Sequence, residues 1–384
     1  MAADSRTARR MNDRAALDLI AAAGRLSRTQ LRERVGLSQP SVIDLVSRLL
    51  DADLIRVAGE SEERTRGPRA QLYSIAGDRG YVAGVHINNE GIQAAVGDVS
   101  GWSSPTATAP APQLKADPAP QIEAVINAAF KAAGTPRQPL TAVVIGTGGT
   151  VDPTTGDIGH APDLGKWQAH FVGPVRERLG CDVHLEREIN LAAIAEDRLG
   201  DQRDLQRFAI LWVGRGLGMS FMDNSGMPFH GSWGAEGEIG YMPLPSLTRK
   251  PAPPRTFQDL VGSVAVHDLA RAHGLEDATA EAAVLTAVDQ GHDAFLDELA
   301  DRLALGLHAI ATVIDPGNVV LTGATADAGG ADLAARVEAA LARRSWHRVN
   351  VLPATFAPGE EAILRAGLLL ATEHARTAIW GPAA

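Results

Sequence analysis

Five side chains able to exchange hydrogen bonds, Gln39, Ser41, Asp44, Ser47 and Arg48, are interleaved with Val42, Leu45, Val46, Leu49 and Leu50. The aliphatic residues recur at i, i+3, i+4, i+7 and i+8, the spacing of a helix with one apolar stripe. The segment therefore predicts a rod with an aliphatic side for a core and a polar side for a partner. Carboxamide, hydroxyl, carboxylate and guanidinium groups presented from a helix are the chemistry that meets base edges and phosphates in the major groove of DNA. Arg64, Arg66 and Arg69 follow in one short loop, and clustered guanidinium groups suit phosphate or minor-groove contact.

The neighbouring elements must hold that rod in place. Ala15, Ala16, Leu19, Ile20 and Ala23 recur at helical spacing before Gly24, and a second short helix is expected from Arg28 to Val35 with Leu31 and Val35 inward. Gly36-Leu37-Ser38 predicts a tight turn with Gly36 at positive φ. Ser38 is a good N-cap, and Pro40 fits the first turn of the polar-faced helix, where a missing N–H costs nothing. Leu54–Val57 and Gln71–Ile75 read as two strands joined by the arginine-bearing loop from Gly59 to Ala70. Helix, turn, polar-faced helix and basic hairpin together predict a winged helix-turn-helix over residues 1–78. Its expected DNA-contacting set is Ser38, Gln39, Pro40, Ser41, Asp44, Ser47, Arg48, Arg64, Arg66 and Arg69. A small helical packing module with a solvated loop shares part of this pattern.

Composition narrows the alternatives. The 384 residues carry a net charge of −10, which argues against indiscriminate coating of nucleic acid. Residues 1–80 hold 14 arginines against 11 acidic residues, an excess of +3, so the rest carries −13. A single cysteine, Cys181, excludes an internal disulfide framework and a thiolate metal cluster. No stretch approaches the roughly 18 apolar residues of a membrane span, and the arginine-dotted start lacks the apolar centre of a signal peptide, so a cytoplasmic protein is expected.

From Tyr81 onward strands alternate with helical stretches: Tyr81–Ile87, Ile92–Asp98, Leu140–Ile145, Phe208–Val213 and Asn318–Thr322. The segment from Ser103 to Pro120, rich in Pro, Ala, Ser and Thr, reads as an extended connection. Seven segments, in order, resemble the ROK family of repressors, open reading frames and sugar kinases. The hairpin Gly84-Val85-His86-Ile87-Asn88-Asn89-Glu90-Gly91 stands at its phosphate loop and Val143–Asp152 at its second glycine turn. Ala161–Trp167 resembles its sugar segment, Leu185–Glu196 its catalytic helix start, and Gly214–Gly218 its third glycine loop. Glu238-Ile239-Gly240-Tyr241 resembles its Glu-x-Gly-His box, and Asp315–Gly323 its adenosine-side strand.

The resemblance implies an α/β chain: the winged head, then a two-lobed actin/hexokinase-like (ribonuclease H-like) domain over 79–384. Lobe 1 would span about 79–190 plus the C-terminal helix, and lobe 2 about 191–355. It implies a transcriptional regulator, expected to be a repressor, that binds a palindromic operator as a homodimer or tetramer and responds to a sugar or sugar phosphate.

The departures from the family pattern predict no phosphoryl transfer. His86 replaces an Asp, Asn88 and Asn89 replace glycines, and Glu90 puts an anion where a triphosphate would sit. The catalytic Asp position holds Glu188, a vestigial base. No cofactor is expected: ATP is disfavoured, and the family zinc site lacks its ligands, since Tyr241 replaces the box His and residues 242–262 contain no Cys or His. His230 and His267 have no partner at metal spacing and read as surface or satisfied residues. The expected effector set is Gly149, Asp163, Arg187, Glu188, Asn190, Glu238 and Tyr241. Its carboxylates suit a neutral sugar. Arg187 would alternatively pair an acidic or phosphorylated ligand, or neutralise Glu188 in a vestigial cleft. A sugar kinase with a DNA-binding head, and a regulator whose cleft serves as a dimerisation or partner surface, are the competing readings.

Overall fold

Two serines and one glycine punctuate the N-terminal region. Ser27 opens α2 (Arg28–Val35) with a capping box: its hydroxyl accepts from the Gln30 N–H, and the Gln30 side chain accepts from the Ser27 N–H at 2.8 Å. Gly36 ends that helix at φ +77°, and Ser38 caps α3 (Gln39–Asp51), whose first turn holds Pro40. With α1 (Ser5–Ala23), these helices flank a three-stranded sheet of β1 (Leu26–Ser27), β2 (Ile55–Glu60) and β3 (Gln71–Ile75), in the order β1-β3-β2. Ala16, Leu17, Ile20, Leu31, Val42, Leu45, Val46, Leu49, Ile55 and Tyr73 are among its buried residues. Ala15 and Ala23, expected inward, are exposed, and Leu17 takes the core position instead. Val35 and Leu50 are only half-buried.

This is a computed structural model, and it describes residues 5–61, 69–161, 164–165, 167, 170–201, 205, 207–244, 255–356 and 360–382. The chain falls into two compact units: Met1–Ile145 with His170–His184 and Gly367–Ala384, and Gly146–Ala169 with Leu185–Ala366. Residues 1–78 fall within the first of these units, and 146–169 and the segment from Leu185 within the second.

In the first unit, β4 (Tyr81–Ile87), β5 (Gly91–Asp98) and β6 (Ala107–Pro110) form an antiparallel meander. They belong to a five-stranded sheet with β7 (Leu140–Thr147) and β10 (Asp182–Arg187), in the order β10-β7-β4-β5-β6. β6 lies inside the segment expected to be a plain connection, and α4 (Pro118–Ala132) already begins at its end. Helix α5 (Val172–Leu179) and the part of α12 (Glu360–Trp380) beyond Gly367 complete the unit. The last turn of α12 holds the head: Arg14 of α1 donates to the Gly381 carbonyl, with its guanidinium over the Trp380 ring at 5.5 Å.

The second unit is built on a four-stranded sheet, β12-β11-β15-β16: β11 (Phe208–Val213), β12 (Leu217–Met222), β15 (Asn318–Thr322) and β16 (Asn350–Pro353). β11 and β12 pair antiparallel, while β11, β15 and β16 run parallel. The unit also contains α6 (Glu188–Leu199), α7 (Gln258–Val261), α8 (Ser263–Ala272), α9 (Ala280–Gln290), α10 (Asp293–Ile314) and α11 (Ala324–Arg344). Phe257, Phe295, Leu299, Leu303, Val319, Leu321, Leu333 and Val337 lie in its core. Two small ladders, β8 (Thr150–Val151) with β9 (Ile158–His160) and β13 (Pro243–Leu244) with β14 (Arg255–Thr256), complete it.

Candidate functional site

The apolar stripe of α3 is buried at Val42, Leu45, Val46 and Leu49, which turns Ser38, Gln39, Pro40, Ser41, Asp44 and Ser47 to solvent. Much of this polar face is already paired with itself. The Ser38 and Ser41 hydroxyls lie 2.8 Å apart, and Arg32 of α2 donates to Gln39 Oε1 at 3.3 Å. Arg48 is half-buried and donates to Asp13 of α1 at 2.6 Å and to Asp44. The Asp13 hydrogen bond is the main reason its pKa is raised. Arg48 therefore ties α3 to α1. Sequence reasoning missed Asp13, because that partner lies 35 residues away, and it passed over Ile43, which stands exposed on the same helix. In the hairpin, the Ser61 N–H donates to the Ala70 carbonyl at 2.8 Å, and Arg69 is exposed. Arg64 and Arg66 lie outside the described residues.

The β4–β5 turn occupies the expected phosphate-loop position. His86 is buried in β4, while Asn89 and Glu90 are exposed. Asn88 Oδ1 accepts from the N–H groups of both Glu90 and Gly91 at 2.9 Å, and the Asn88 N–H donates to the Gly91 carbonyl at 3.1 Å. Backbone donors that a phosphate oxygen would need are thus engaged by the turn itself, and Glu90 adds an anion. These residues do not fit a nucleotide triphosphate.

In the second unit, the junction of β10 and α6 collects the charged residues. Arg187 is the N-cap residue of α6, and its buried guanidinium donates from Nε to the Gly149 carbonyl at 3.1 Å. Nη1 bonds the Glu236 backbone carbonyl and Glu236 Oε1, the latter at 3.0 Å; Nη2 reaches Glu238 Oε1 at 2.6 Å. Four hydrogen bonds around one buried cation satisfy most of its five N–H donors. Gly149 has φ +89°, and a Cβ there would stand 2.2 Å from the His160 carbonyl oxygen, so glycine lets the His160–Ala161 backbone pack against this turn. Burial pushes the Glu236 carboxyl up, but the N–H of Gly231, its own N–H and Arg187 bring it below the usual carboxylate range.

Glu186 forms the adjoining half of the cluster. Its Oε1 accepts from the Arg187 N–H at 2.9 Å and from Asn190 Nδ2 at 2.8 Å, and its Oε2 lies 3.1 Å from His230 Nε2. That hydrogen bond raises the His230 pKa. Asn190 is fully buried, and since only its NH2 can donate to a carboxylate, the atom left without a partner is an acceptor, Oδ1. Glu188 faces the Gly148 turn; a Cβ on Gly148 would lie 3.5 Å from Glu188 Oε1.

The fold thus brings Gly149, Arg187, Asn190 and Glu238 into one connected network, with Glu188 beside it. Tyr241 follows Glu238 but is exposed, and Asp163 lies outside the described residues. Arg187 forms ion pairs with Glu236 and Glu238. Glu186, Glu236 and His230 were not in the expected set. One signal was available: a buried guanidinium requires carboxylate partners, and Glu236-Gly237-Glu238 offers two. Among the described residues no three His, Cys, Asp or Glu side chains gather as a metal site. With Tyr241 in the box position, the residues present do not fit the family zinc.

The sequence profile of the ROK family matches residues 82–363, nearly three-quarters of the chain. The chain belongs to the ROK family. A second profile, winged helix-turn-helix DNA-binding, matches residues 11–56. The xylose repressor of Caldicellulosiruptor bescii is 23% identical over 219 residues, 56% of this ROK chain and 54% of that protein. An uncharacterised Clostridium perfringens protein is 27% identical over 191 residues, 48% of this chain and 62% of its own length. The chain thus spans little more than half the length of the curated relatives it matches. Among solved structures, a ROK family transcriptional regulator homologous to the E. coli MLC protein superposes with a TM-score of 0.73 at 16% identity, over 97% of this chain and 98% of its own. The Streptomyces griseus ROK glucokinase, in complex with glucose and AMPPNP, aligns with a TM-score of 0.59 at 23% identity, over 77% of this chain and all of its own. The fold is that of both regulators and kinases, so function must come from the sites.

Proposed function

We propose that this ROK protein is a cytoplasmic transcriptional repressor that binds a two-fold DNA operator as a homodimer, responds to a neutral sugar and transfers no phosphate. The supporting observation for DNA recognition is α3: a Ser-capped helix anchored by four buried aliphatic residues, with its N-terminal polar residues open to solvent. A helix held so can enter a major groove with its first turns toward base edges. The test is an electrophoretic titration of the purified chain against its own upstream DNA over a range of salt. Sequence-preferring binding that weakens steeply with salt is expected, and binding indifferent to sequence overturns the reading.

The site around α6 supports a neutral effector rather than an acidic one. Arg187 is already committed to Glu236 and Glu238, and Glu186 and Glu188 add two further carboxylates. Carboxylates and the unpartnered Asn190 Oδ1 ask for a ligand that donates hydrogen bonds, as sugar hydroxyls do. In a thermal-shift series, neutral pentoses or hexoses should stabilise the chain, by about 2.7 kcal/mol at a hundredfold excess over Kd. Stabilisation by the sugar phosphates alone contradicts this. Absence of kinase chemistry rests on the self-closed β4–β5 turn. Phosphate transfer from ATP to a hexose, lost in Glu188→Gln, overturns it.

A further inference from the structure

Gln39, Ile43 and Ser47 stand four residues apart on α3, one above the other along the helix, and all three are exposed. Ile43 is the exception among them in chemistry, with 45% of its surface in water. The head does not need it there: Val42, Leu45, Val46 and Leu49 supply the aliphatic stripe that packs into the core. A β-branched residue also carries a small penalty in a helix, and an exposed one recovers nothing by burial. Several of the polar neighbours, by contrast, are already engaged. Ser38 is bonded to Ser41, Gln39 to Arg32, and Asp44 to Arg48, which also holds Asp13. Those contacts constrain the polar groups while leaving them donors or lone pairs for a base edge; seating Ile43 on an apolar group of a base edge disturbs none of them and removes apolar surface from water.

The major-groove edge of DNA presents one apolar group, the 5-methyl of thymine. We infer that Ile43 is a specificity-determining residue whose side chain packs on the 5-methyl group of a thymine at one fixed position of each half-site. This rests on the reading of α3 as the helix that enters the groove. It adds an aliphatic member to a face where the sequence pattern had pointed to the polar members alone. Asp44, which would repel phosphate, then acts chiefly as the partner that orients Arg48.

The test uses the full chain and duplexes selected by it from a random-sequence pool. Each thymine of the selected sequence is replaced singly by deoxyuridine, which deletes only the methyl group. Affinities are measured for the parent and for Ile43→Ser, whose melting and sedimentation without DNA are recorded alongside. One thymine per half-site should be methyl-sensitive in the parent, with a loss of about fourfold, the affinity equivalent of one buried methyl. Ile43→Ser should bind the thymine and deoxyuridine duplexes alike, with unchanged melting. If no thymine is methyl-sensitive, or if Ile43→Ser remains as sensitive as the parent, the inference is overturned while DNA recognition stands. If Ile43→Ser alters sedimentation and not base preference, the side chain belongs to a protein contact and the inference is equally overturned. If no duplex is retained even at low salt, the reading of α3 falls and the inference with it.

Discussion

The exposed face of α3 and the β10–α6 junction are both rich in charged and polar side chains, and both hold them through ion pairs. They differ in solvent. Arg48 of α3 is one-third exposed and bridges Asp13 and Asp44 at the surface, whereas Arg187 is 3% exposed and bridges Glu236 and Glu238. Water screens the first pair and compensates either partner if the other is lost. Nothing screens the second to the same degree, so its members are obligatory to one another. On the proposed reading, a surface that exchanges partners with DNA keeps its contacts weak, and a site that keeps its shape buries them.

The contrast can be tested by removing one member at a time. Arg187→Ala should cause the largest loss, about 3–5 kcal/mol, because Glu236 is left charged and buried without its cation. Urea denaturation measures it, and a loss below 1 kcal/mol would remove the distinction between the two regions. Ser38→Ala should cost about 1 kcal/mol through the lost cap of α3, and should also reduce DNA affinity, since the same residue orients the helix start. Arg48→Ala should cost only about 0.2–1 kcal/mol of stability, visible as a small drop in melting temperature. If Arg48→Ala destabilises as much as Arg187→Ala, the surface pair is structural after all.

A pH titration sharpens the comparison further. Glu186 holds the His230 proton more tightly in the folded chain than in the unfolded one, so the folded pKa exceeds the ordinary 6.5. The pair's contribution is therefore complete below about pH 6.5 and fades as pH rises through the raised value. His230→Gln should flatten the stability profile over that window and leave it unchanged at higher pH. An unchanged slope would mean that His230 and Glu186 are not coupled.

Elements defined by local pattern were legible in the sequence. Arg28–Val35, Gln71–Ile75, Tyr81–Ile87, Phe208–Val213 and Asn318–Thr322 fold as expected, the first from its cap and turn and the strands from their apolar, β-branched runs. β1 was not, because two residues carry no period, and neither was β6, whose Pro-flanked segment mimics a connection. Leu17 replaced Ala15 in the head core because helical spacing alone leaves the phase of a partly alanine stripe undecided. At the candidate site, Arg187, Asn190 and Glu238 were expected from their segments, and the fold brings them into one network. Glu236 and His230 were not expected, because their partners lie 49 and 44 residues away in sequence and only the fold brings them together.

The account depends most on α3 reading DNA, and nuclease footprinting of the purified chain on its own upstream region tests that directly. Two protected half-sites should emerge, about 10 base pairs or a multiple of a helical turn apart, and should fade as salt is raised. No protection at low salt, with the chain folded by circular dichroism, would contradict it.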